Sequence, residues 1–335
     1  MKRIFFLLII IVSTSLVFAQ TNAVKTPIKT VAGAPNSRII NANQLLRDVE
    51  ALSADDMQGR GIGTPGGAKA RDYVIARFKE AGLKSFGTSY LQPFDFTARS
   101  GEKVNGVNVT GYIAGKNNPE KYIVVTAHYD HVGINNGEIY NGADDDASGT
   151  AALFALANYF KEKRPSHSII FVAFDGEESG LRGSRKFVAE PPVKKESIVL
   201  NINMDMVAHN DKNELYAAGA FHYPTLKPLL ETIAKNAKVK LLLGHDRPEL
   251  KSDDWTNQSD HFAFHQAKIP FIYFGVEDHK DYHKPTDDFV NINQEFYVRA
   301  VETILEAVKI FDKNLPLLEK QKIAVNQFYQ SSNNP

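Results

Sequence analysis

The sequence predicts an α/β protein built on a mostly parallel, mixed β-sheet with helices on both faces. Short, continuous runs of β-branched and other apolar residues alternate along the chain with segments of helical periodicity. Such runs are typical of strands buried on both faces, and strand–helix alternation is typical of parallel sheets. We see no internal repeat and no low-complexity linker, so we expect a single globular domain over residues 41–335.

Periodicity places the helices and strands of this domain along the chain. Apolar residues spaced three and four apart predict helices at 41–52, 68–83, 150–160, 185–190, 226–240 and 294–314. Apolar or alternating runs bounded by turn residues predict strands at 90–96, 107–114, 123–126, 168–174, 197–204 and 269–275.

Residues 1–19 are predicted to be a targeting segment. A basic start at Lys2 and Arg3, an apolar core at 4–12 and a small-residue cleavage site at 17–19 are typical of a secretory signal peptide. An uncleaved anchor is the alternative, but the apolar core is short for a membrane span. Residues 20–40 lack a steady period and are predicted to form a flexible tether. We therefore expect an exported protein, periplasmic or secreted, that is not inserted in a membrane after signal removal.

Composition excludes several classes of function. Lys+Arg and Asp+Glu each number 39, so no basic excess indicates binding to nucleic acid or to an anionic membrane. The chain has no cysteine, which excludes thiol nucleophiles and cysteine metal sites. No G-x-S-x-G is present, and the glycines at 59–67 lack the G-K-[ST] of a phosphate loop.

Carboxylates and a histidine follow three of the predicted strands. His128 follows the strand at 123–126, the pair Glu177 and Glu178 follows the strand at 168–174, and Asp205 follows the strand at 197–204. Ligands of open α/β sheets bind at the carboxyl ends of the strands, so we expect these side chains to meet in one crevice. Carboxylates at such short distances repel each other unless a cation binds them. With histidine and carboxylate ligands and no cysteine, zinc is the first candidate and Co²⁺ or Mn²⁺ are substitutes.

Two further patterns strengthen the metal hypothesis. Asp130 lies two residues after His128 in an extended segment, where its carboxylate could accept the second imidazole N–H and orient the ligand. Three consecutive aspartates, 144–146, precede the helix predicted at 150–160. One carboxylate is enough to cap the positive end of a helix, so a second role is expected for this run.

These motifs together resemble a known family. HYDH, GADDDASGTAAL, FDGEESGLRGS, NMDM and DYHKPTDD, in this order and spacing, resemble the M28 metallo-aminopeptidases, which include bacterial leucyl-type and aminopeptidase Y-type enzymes. The segments LSADDM-x-GR-x-x-GT-x-G and NV-x-GYIAG fit the same family, and the resemblance covers about residues 45–288. It implies a zinc-exopeptidase (phosphorylase/hydrolase-like) fold, two zinc ions, and removal of N-terminal residues from peptides and proteins.

The resemblance also implies the metal ligands. His128 and Asp205 would bind one zinc, Glu178 and His283 would bind the other, and Asp145 would bridge the two. Two metals so bridged share a water that loses its proton easily and attacks the peptide carbonyl.

Glu177 and Asp130 would complete the catalytic machinery. Glu177 matches the general base of the family, which takes the proton of the attacking water and passes it to the leaving amine. Asp130 matches the residue that orients His128. In the family the peptide bond after the bridging aspartate tends to be cis, so we expect a cis bond between Asp145 and Asp146.

Other functions on the same fold stay open at this stage. A glutaminyl cyclase uses one zinc to close N-terminal glutamine, a carboxypeptidase needs a basic pocket that the sequence does not locate, and some members of the fold are metal-free binding domains. The filled set of ligand positions favours the two-zinc aminopeptidase.

Four other histidines are not predicted to be metal ligands. His131 is interpreted as a loop histidine near the site rather than a ligand. His279 competes with His283 as the last ligand, and the family pattern favours His283. His261 and His265 have the spacing of a helical metal pair, but Phe262 replaces the glutamate of H-E-x-x-H, so we expect supporting or surface roles.

Overall fold

Eight strands form one mixed sheet in residues 34–332, the part of the chain that the computed structural model describes. In space the strands run in the order β1-β2-β6-β3-β7-β10-β8-β9. Their bounds are β1 Leu91–Thr97, β2 Lys103–Ile113, β3 Asn118–His128, β6 His167–Phe174, β7 Ile198–Met204, β8 Glu214–Ala218, β9 Lys240–Leu243 and β10 Phe271–Gly275.

The four middle strands, β6, β3, β7 and β10, run parallel. β1 and β2 extend the sheet antiparallel on one side, and β8 pairs antiparallel with β10 on the other. Side chains of β3 alternate between two cores, with Ile123 and Val125 in one and Val124 in the other. Both faces of the central strands are therefore buried, which explains their continuous apolar runs.

Helices cover both faces of the sheet, as the sequence predicts. They are α1 Ala42–Leu52, α2 Pro65–Glu80, α3 Gly149–Glu162, α4 Arg182–Ala189, α5 Lys227–Ala234, α6 His261–Gln266 and α7 Gln294–Ser332. The core that contains α1, α3 and α7 lies on one face, and the core that contains Phe187 of α4 and Phe264 of α6 lies on the other.

The structure differs from the sequence-based elements in several places. The strand β8 Glu214–Ala218 and the helix α6 His261–Gln266 were not among the predicted elements. The helix predicted at 226–240 ends at Ala234, and only Lys240 of that segment belongs to β9, an unpredicted strand that pairs with β8. The small hairpin of β4 Gly133–Asn135 and β5 Glu138–Tyr140 was not predicted, although Asn136 and Gly137 at its turn have the positive φ of a tight hairpin. The closing helix extends beyond residue 314 to Ser332, with Pro316 inside it.

The predicted signal peptide at 1–19 and residues 20–33 of the predicted tether lie outside the described residues. Within residues 34–332, none of the helices combines the length and the apolar character that crossing a membrane requires.

Candidate metal centre

The three strands that carry the predicted ligands are neighbours in the sheet. β3 lies between β6 and β7, and His128 at the end of β3 is in register with Phe174 at the end of β6. Asp205 directly follows Met204, the last residue of β7. These strands are parallel neighbours and end at the same edge of the sheet, so the structure places His128, Asp205 and the segment that carries Glu177 and Glu178 at that edge.

A first group of donor atoms consists of His128, Asp145 and Asp205. Their ligand atoms all lie within 4.8 Å of one another, and the three residues are buried. His128 Nε2 lies 3.3 Å from Asp145 Oδ1 and 3.5 Å from Asp205 Oδ1. The second oxygen of Asp205 accepts a 2.6 Å hydrogen bond from the hydroxyl of Ser259, which fixes the orientation of that carboxylate.

A second group shares Asp145 with the first. His283 Nε2 lies 3.1 Å from Asp145 Oδ2 and 3.4 Å from Glu178 Oε2. His131 belongs to the same group, because its Nδ1 lies 2.8 Å from Glu178 Oε1 and 3.7 Å from Asp145 Oδ2. Sequence reasoning placed His131 only near the site, and its position in HYDH three residues after His128 was the one signal for it.

Both groups suit a divalent cation in their chemistry and in their unsatisfied atoms. His131 Nδ1 and Glu178 Oε1 are buried and close, yet neither has a hydrogen-bond partner of acceptable geometry within the described part of the chain. Buried polar atoms without partners are rare and call for an ion or water. Imidazole and carboxylate donors without thiolate suit a catalytic zinc, and Co²⁺ or Mn²⁺ as substitutes.

The histidines and carboxylates of the centre shift each other's pKa strongly. Burial acts to raise the pKa of Asp145, but His131, His128 and His283 outweigh it and hold that pKa well below its ordinary value. Hydrogen bonds to Asp145 and Glu178 raise the pKa of His283 to about 10. Imidazole must be deprotonated to bind a metal, so cation binding would release protons here.

The three consecutive aspartates, Asp144, Asp145 and Asp146, make different contacts. Asp146 is fully buried, and its carboxylate accepts hydrogen bonds from the backbone N–H groups of His128, Gly149 and Met206. It thereby ties the ends of β3 and β7 to the start of α3.

Asp144 accepts from the N–H of Ala208, whereas Asp145 alone contacts the histidines of both donor groups. The Asp145–Asp146 peptide bond is cis, as expected.

Arg60 supports the backbone on which Asp145 lies, a role that sequence reasoning missed. Its side chain is completely buried. The guanidinium donates hydrogen bonds to five backbone carbonyls, those of Leu52, Tyr129, Asn141, Gly142 and Asp145. Arginine is usually a surface residue, and the only sign of a buried role for Arg60 in the sequence is its position in the turn-rich QGRG segment.

Asp287 holds the same loop from the opposite side. Its two carboxylate oxygens accept hydrogen bonds of 2.9 and 3.0 Å from the N–H groups of Asp144 and Asp145. Burial is the main cause that raises the pKa of Asp287, to about 7, and the nearby Asp144 carboxylate adds to the rise.

Glu177 and Asp130 lie beside the donor groups. His128 Nδ1 lies 3.0 Å from the backbone carbonyl of Asp130 and 3.7 Å from its carboxylate, so the carbonyl rather than the expected carboxylate is the nearer acceptor. The Asp130 carboxylate instead accepts from the Glu177 N–H at 3.1 Å.

Burial raises the pKa of the Glu177 carboxyl well above its usual value. The nearby carboxylates of Asp260, Asp205 and Glu178 also raise this pKa, and His128 acts to lower it.

The remaining histidines lie outside the two donor groups. His279 Nε2 lies 3.1 Å from Asp144 Oδ2, and its ring stacks on that of His209. His261 is buried with its Nε2 2.9 Å from the carbonyl of Trp255, and His265 Nδ1 lies 2.8 Å from the Tyr223 hydroxyl. The structure therefore brings His283, and not His279, to Asp145 and Glu178.

The chain matches a known family. Residues 108–308 match the sequence profile of peptidase family M28, and because this is more than half of the chain, the chain belongs to that family.

Several named proteins are similar to it. Aminopeptidase YwaD of Bacillus subtilis is 26% identical over 291 residues, which cover 82% of this chain and 58% of that protein. A probable zinc metalloprotease of Pyrenophora tritici-repentis is 27% identical over 279 residues, which cover 74% of this chain and 62% of that protein. The chain thus spans about three fifths of the length of these two curated relatives.

Solved structures show the same fold. The glutaminyl cyclase of Porphyromonas gingivalis aligns with a TM-score of 0.67 and 19% identity over 81% of this chain and 99% of its own. The zinc aminopeptidase BSAP of Bacillus subtilis aligns with a TM-score of 0.67 and 18% identity over 82% of this chain and 95% of its own. The fold class predicted from the sequence is confirmed.

Proposed function

We propose that this chain is a zinc-dependent aminopeptidase that removes N-terminal residues from peptides and proteins. The observation that supports this most is the pair of donor groups that share Asp145, with the carboxylate of Glu177 beside them. The membership of peptidase family M28 and the similarity to an aminopeptidase point to the same reaction class.

In this proposal the two groups hold two zinc ions. His128 and Asp205 would bind one ion, Glu178 and His283 the other, and Asp145 both. When bound, such a pair of ions polarises the peptide carbonyl and makes water acidic enough to attack near neutral pH. His131 contacts Glu178 and Asp145, so it would support or complete the second group.

Glu177 moves the proton of the reaction. Its backbone N–H is held by Asp130, and among the described residues its side chain has no hydrogen-bond partner, so the carboxylate is available to substrate and water. Glu177 accepts the proton of the water that adds to the peptide carbonyl carbon. It then gives this proton to the nitrogen of the leaving amine as the C–N bond breaks.

An exopeptidase of this kind acts on a free amino terminus. In this proposal the substrate amine would lie near one zinc ion or near an acidic side chain that binds no metal, so a blocked amino terminus should be a poor substrate. A panel of aminoacyl-nitroanilides with N-acetylated controls, with and without a chelator, measures this preference.

Glutaminyl cyclisation is the second candidate, because glutaminyl cyclases are among the structures with this fold. The two donor groups argue for hydrolysis with two metals rather than cyclisation with one. Metal analysis of the purified protein and an assay for ammonia release from peptides with N-terminal glutamine separate the two reactions. One bound zinc together with ammonia release and no peptide hydrolysis would replace the aminopeptidase proposal.

Glu177→Gln tests the assignment of the base. The variant should keep its full metal content but lose about 10²–10⁴-fold in kcat, because glutamine cannot accept the proton. Glu138→Gln, on the exposed β4–β5 hairpin, is the matched control and should keep wild-type activity. Hydrolysis by Glu177→Gln within a few-fold of wild type would reject the role of Glu177.

We also propose that the protein is exported and that residues 1–19 are removed. The mature protein should then begin at Gln20, which N-terminal sequencing or intact mass measurement of the protein outside the cytoplasm determines.

A further inference from the structure

A cavity of about 490 Å³ opens beside the metal-centre residue Glu178. Two arginines, Arg99 and Arg182, line it together with Phe96 and Ser179. Because Glu178 belongs to one of the two donor groups, a peptide bound at the metal centre would place a neighbouring part of itself in this cavity.

The two arginines come from different parts of the fold. Arg99 lies in the turn between β1 and β2, which is closed by a 2.9 Å hydrogen bond from the Ala98 N–H to the Glu102 carbonyl. Arg182 is the first residue of α4 and directly follows the loop that carries Glu177 and Glu178. The β1–β2 turn and the start of α4 therefore each contribute one positive charge to the cavity beside Glu178.

Arg182 contacts a carbonyl and an aromatic ring but has no carboxylate partner in the described part of the chain. Its Nε donates a 3.0 Å hydrogen bond to the Ser179 carbonyl, and its guanidinium carbon lies 4.8 Å from the centroid of the Phe96 ring. The contact with the ring and the hydrogen bond at Nε together restrict the position of the guanidinium. The terminal N–H groups of a guanidinium restricted in this way match the two oxygens of a carboxylate.

Neither arginine has a carboxylate partner in residues 34–332, and Arg99 makes no hydrogen bond there either. By contrast, Arg77 and Arg299 are paired with carboxylates elsewhere in the fold. The one carboxylate that lines the cavity, Glu178, is already in contact with His131 and His283. The cavity thus offers two uncompensated cations to a ligand.

We propose that this cavity binds a carboxylate of the substrate through Arg99 and Arg182. The proposal rests on the proposed peptidase function and adds a substrate class to it, namely peptides that carry an anionic group next to the cleaved bond. That group is either an acidic side chain or the free terminal carboxylate of a short peptide.

Three matched pairs of substrates distinguish these sources, each pair differing only in a carboxylate against an amide. Glu-nitroanilide against Gln-nitroanilide tests the side chain of the first residue. Ala-Glu-amide against Ala-Gln-amide tests the side chain of the second residue. Ala-Ala against Ala-Ala-amide tests the terminal carboxylate. In at least one pair the carboxylate member should have a kcat/KM about tenfold or more higher, mainly through KM.

Variants connect this preference to the cavity. In Arg99→Gln and Arg182→Gln the ratio of kcat/KM within the preferred pair should fall toward 1, whatever the absolute rates, and the metal content should match wild type. Arg185→Gln, an exposed arginine on the same helix as Arg182 that does not line the cavity, is the control and should keep the wild-type ratio. Ratios at or below 1 in all three pairs, or an unchanged ratio in both cavity variants, would overturn the proposal.

Calorimetry with the zinc-loaded Glu177→Gln protein tests the cavity without turnover. If wild type hydrolyses none of the six compounds, the peptidase proposal fails, but tighter binding of the carboxylate members to this protein still supports the cavity. If hydrolysis occurs while the two members of every pair bind equally, the peptidase proposal stands and the cavity proposal is rejected.

Discussion

Arg60→Met should remove a large part of the stability of this protein. The Arg60 guanidinium is completely buried and satisfies backbone carbonyls from α1, from the end of β3 and from the loop before Asp145. Methionine fills a similar apolar volume but donates no hydrogen bond. The substitution therefore leaves several buried carbonyls without a donor while it hardly changes the apolar packing.

The magnitude follows from the hydrogen bonds that Arg60 makes. Four carbonyls accept at short distance, and the fifth contact, to Asp145, is longer at 3.3 Å. A buried acceptor left unsatisfied costs about 1–3 kcal/mol, so four would cost about 4–12 kcal/mol. Water that enters the vacated space recovers part of this, and we expect a loss of about 4–8 kcal/mol. The whole stability of a native protein is about 5–15 kcal/mol.

Urea unfolding followed by circular dichroism measures this loss. The comparison is made with excess chelator, because metal that binds only the folded state would add its own stabilisation. Arg60→Lys keeps a charge and three donors and should lose roughly half as much as Arg60→Met. Arg71→Met, at a partly exposed position in α2, is the control and should change stability by less than about 1 kcal/mol. A similarly small loss for Arg60→Met, with an unchanged m-value, would refute the reasoning.

Three further substitutions test other contacts. Ser259→Ala removes the 2.6 Å hydrogen bond to Asp205 and should weaken metal binding about 10–100-fold in competition with a chelator, so an unchanged affinity would count against this support. Burial lowers the pKa of His261 to about 3 from its ordinary 6.5. The unfolded chain therefore binds a proton that the folded chain does not, and stability falls as the pH drops from about 6.5 toward 3. In His261→Phe the unfolded chain takes up one proton fewer than in wild type, so the loss of stability at acid pH should be smaller. Equal declines of the urea midpoints of the variant and wild type between pH 7 and 4.5 would contradict the prediction. Gly59→Ala should cost at least about 2 kcal/mol, because a Cβ there would lie 2.4 Å from the Tyr140 carbonyl oxygen at a φ of +65°. Gly137→Ala, also at positive φ but with open space, should cost only about 1–2 kcal/mol, and equal costs for the two glycines would show that the close approach is unimportant.

Short apolar runs bounded by turn residues were enough to predict the centre of the sheet. The central parts of β3, β6 and β7 are buried on both faces, and their length and β-branched residues favour buried strands over helices. The strand β9 has only four residues, and its short apolar run was not recognised as a strand in the sequence. Pairing with β8, and not local preference, makes it a strand.

The sequence by itself also indicated where the predicted metal ligands come together. Parallel strands end at one edge, and carboxylates and a histidine directly after three such strands must therefore meet. Tertiary structure alone decided which atoms face each other. It separates the roles of Asp144, Asp145 and Asp146, brings His131 to Glu178, and places Arg60 beneath the loop of Asp145. Side-chain periodicity reports only which face of an element is buried, whereas these contacts join residues far apart in the chain and depend on how the elements pack.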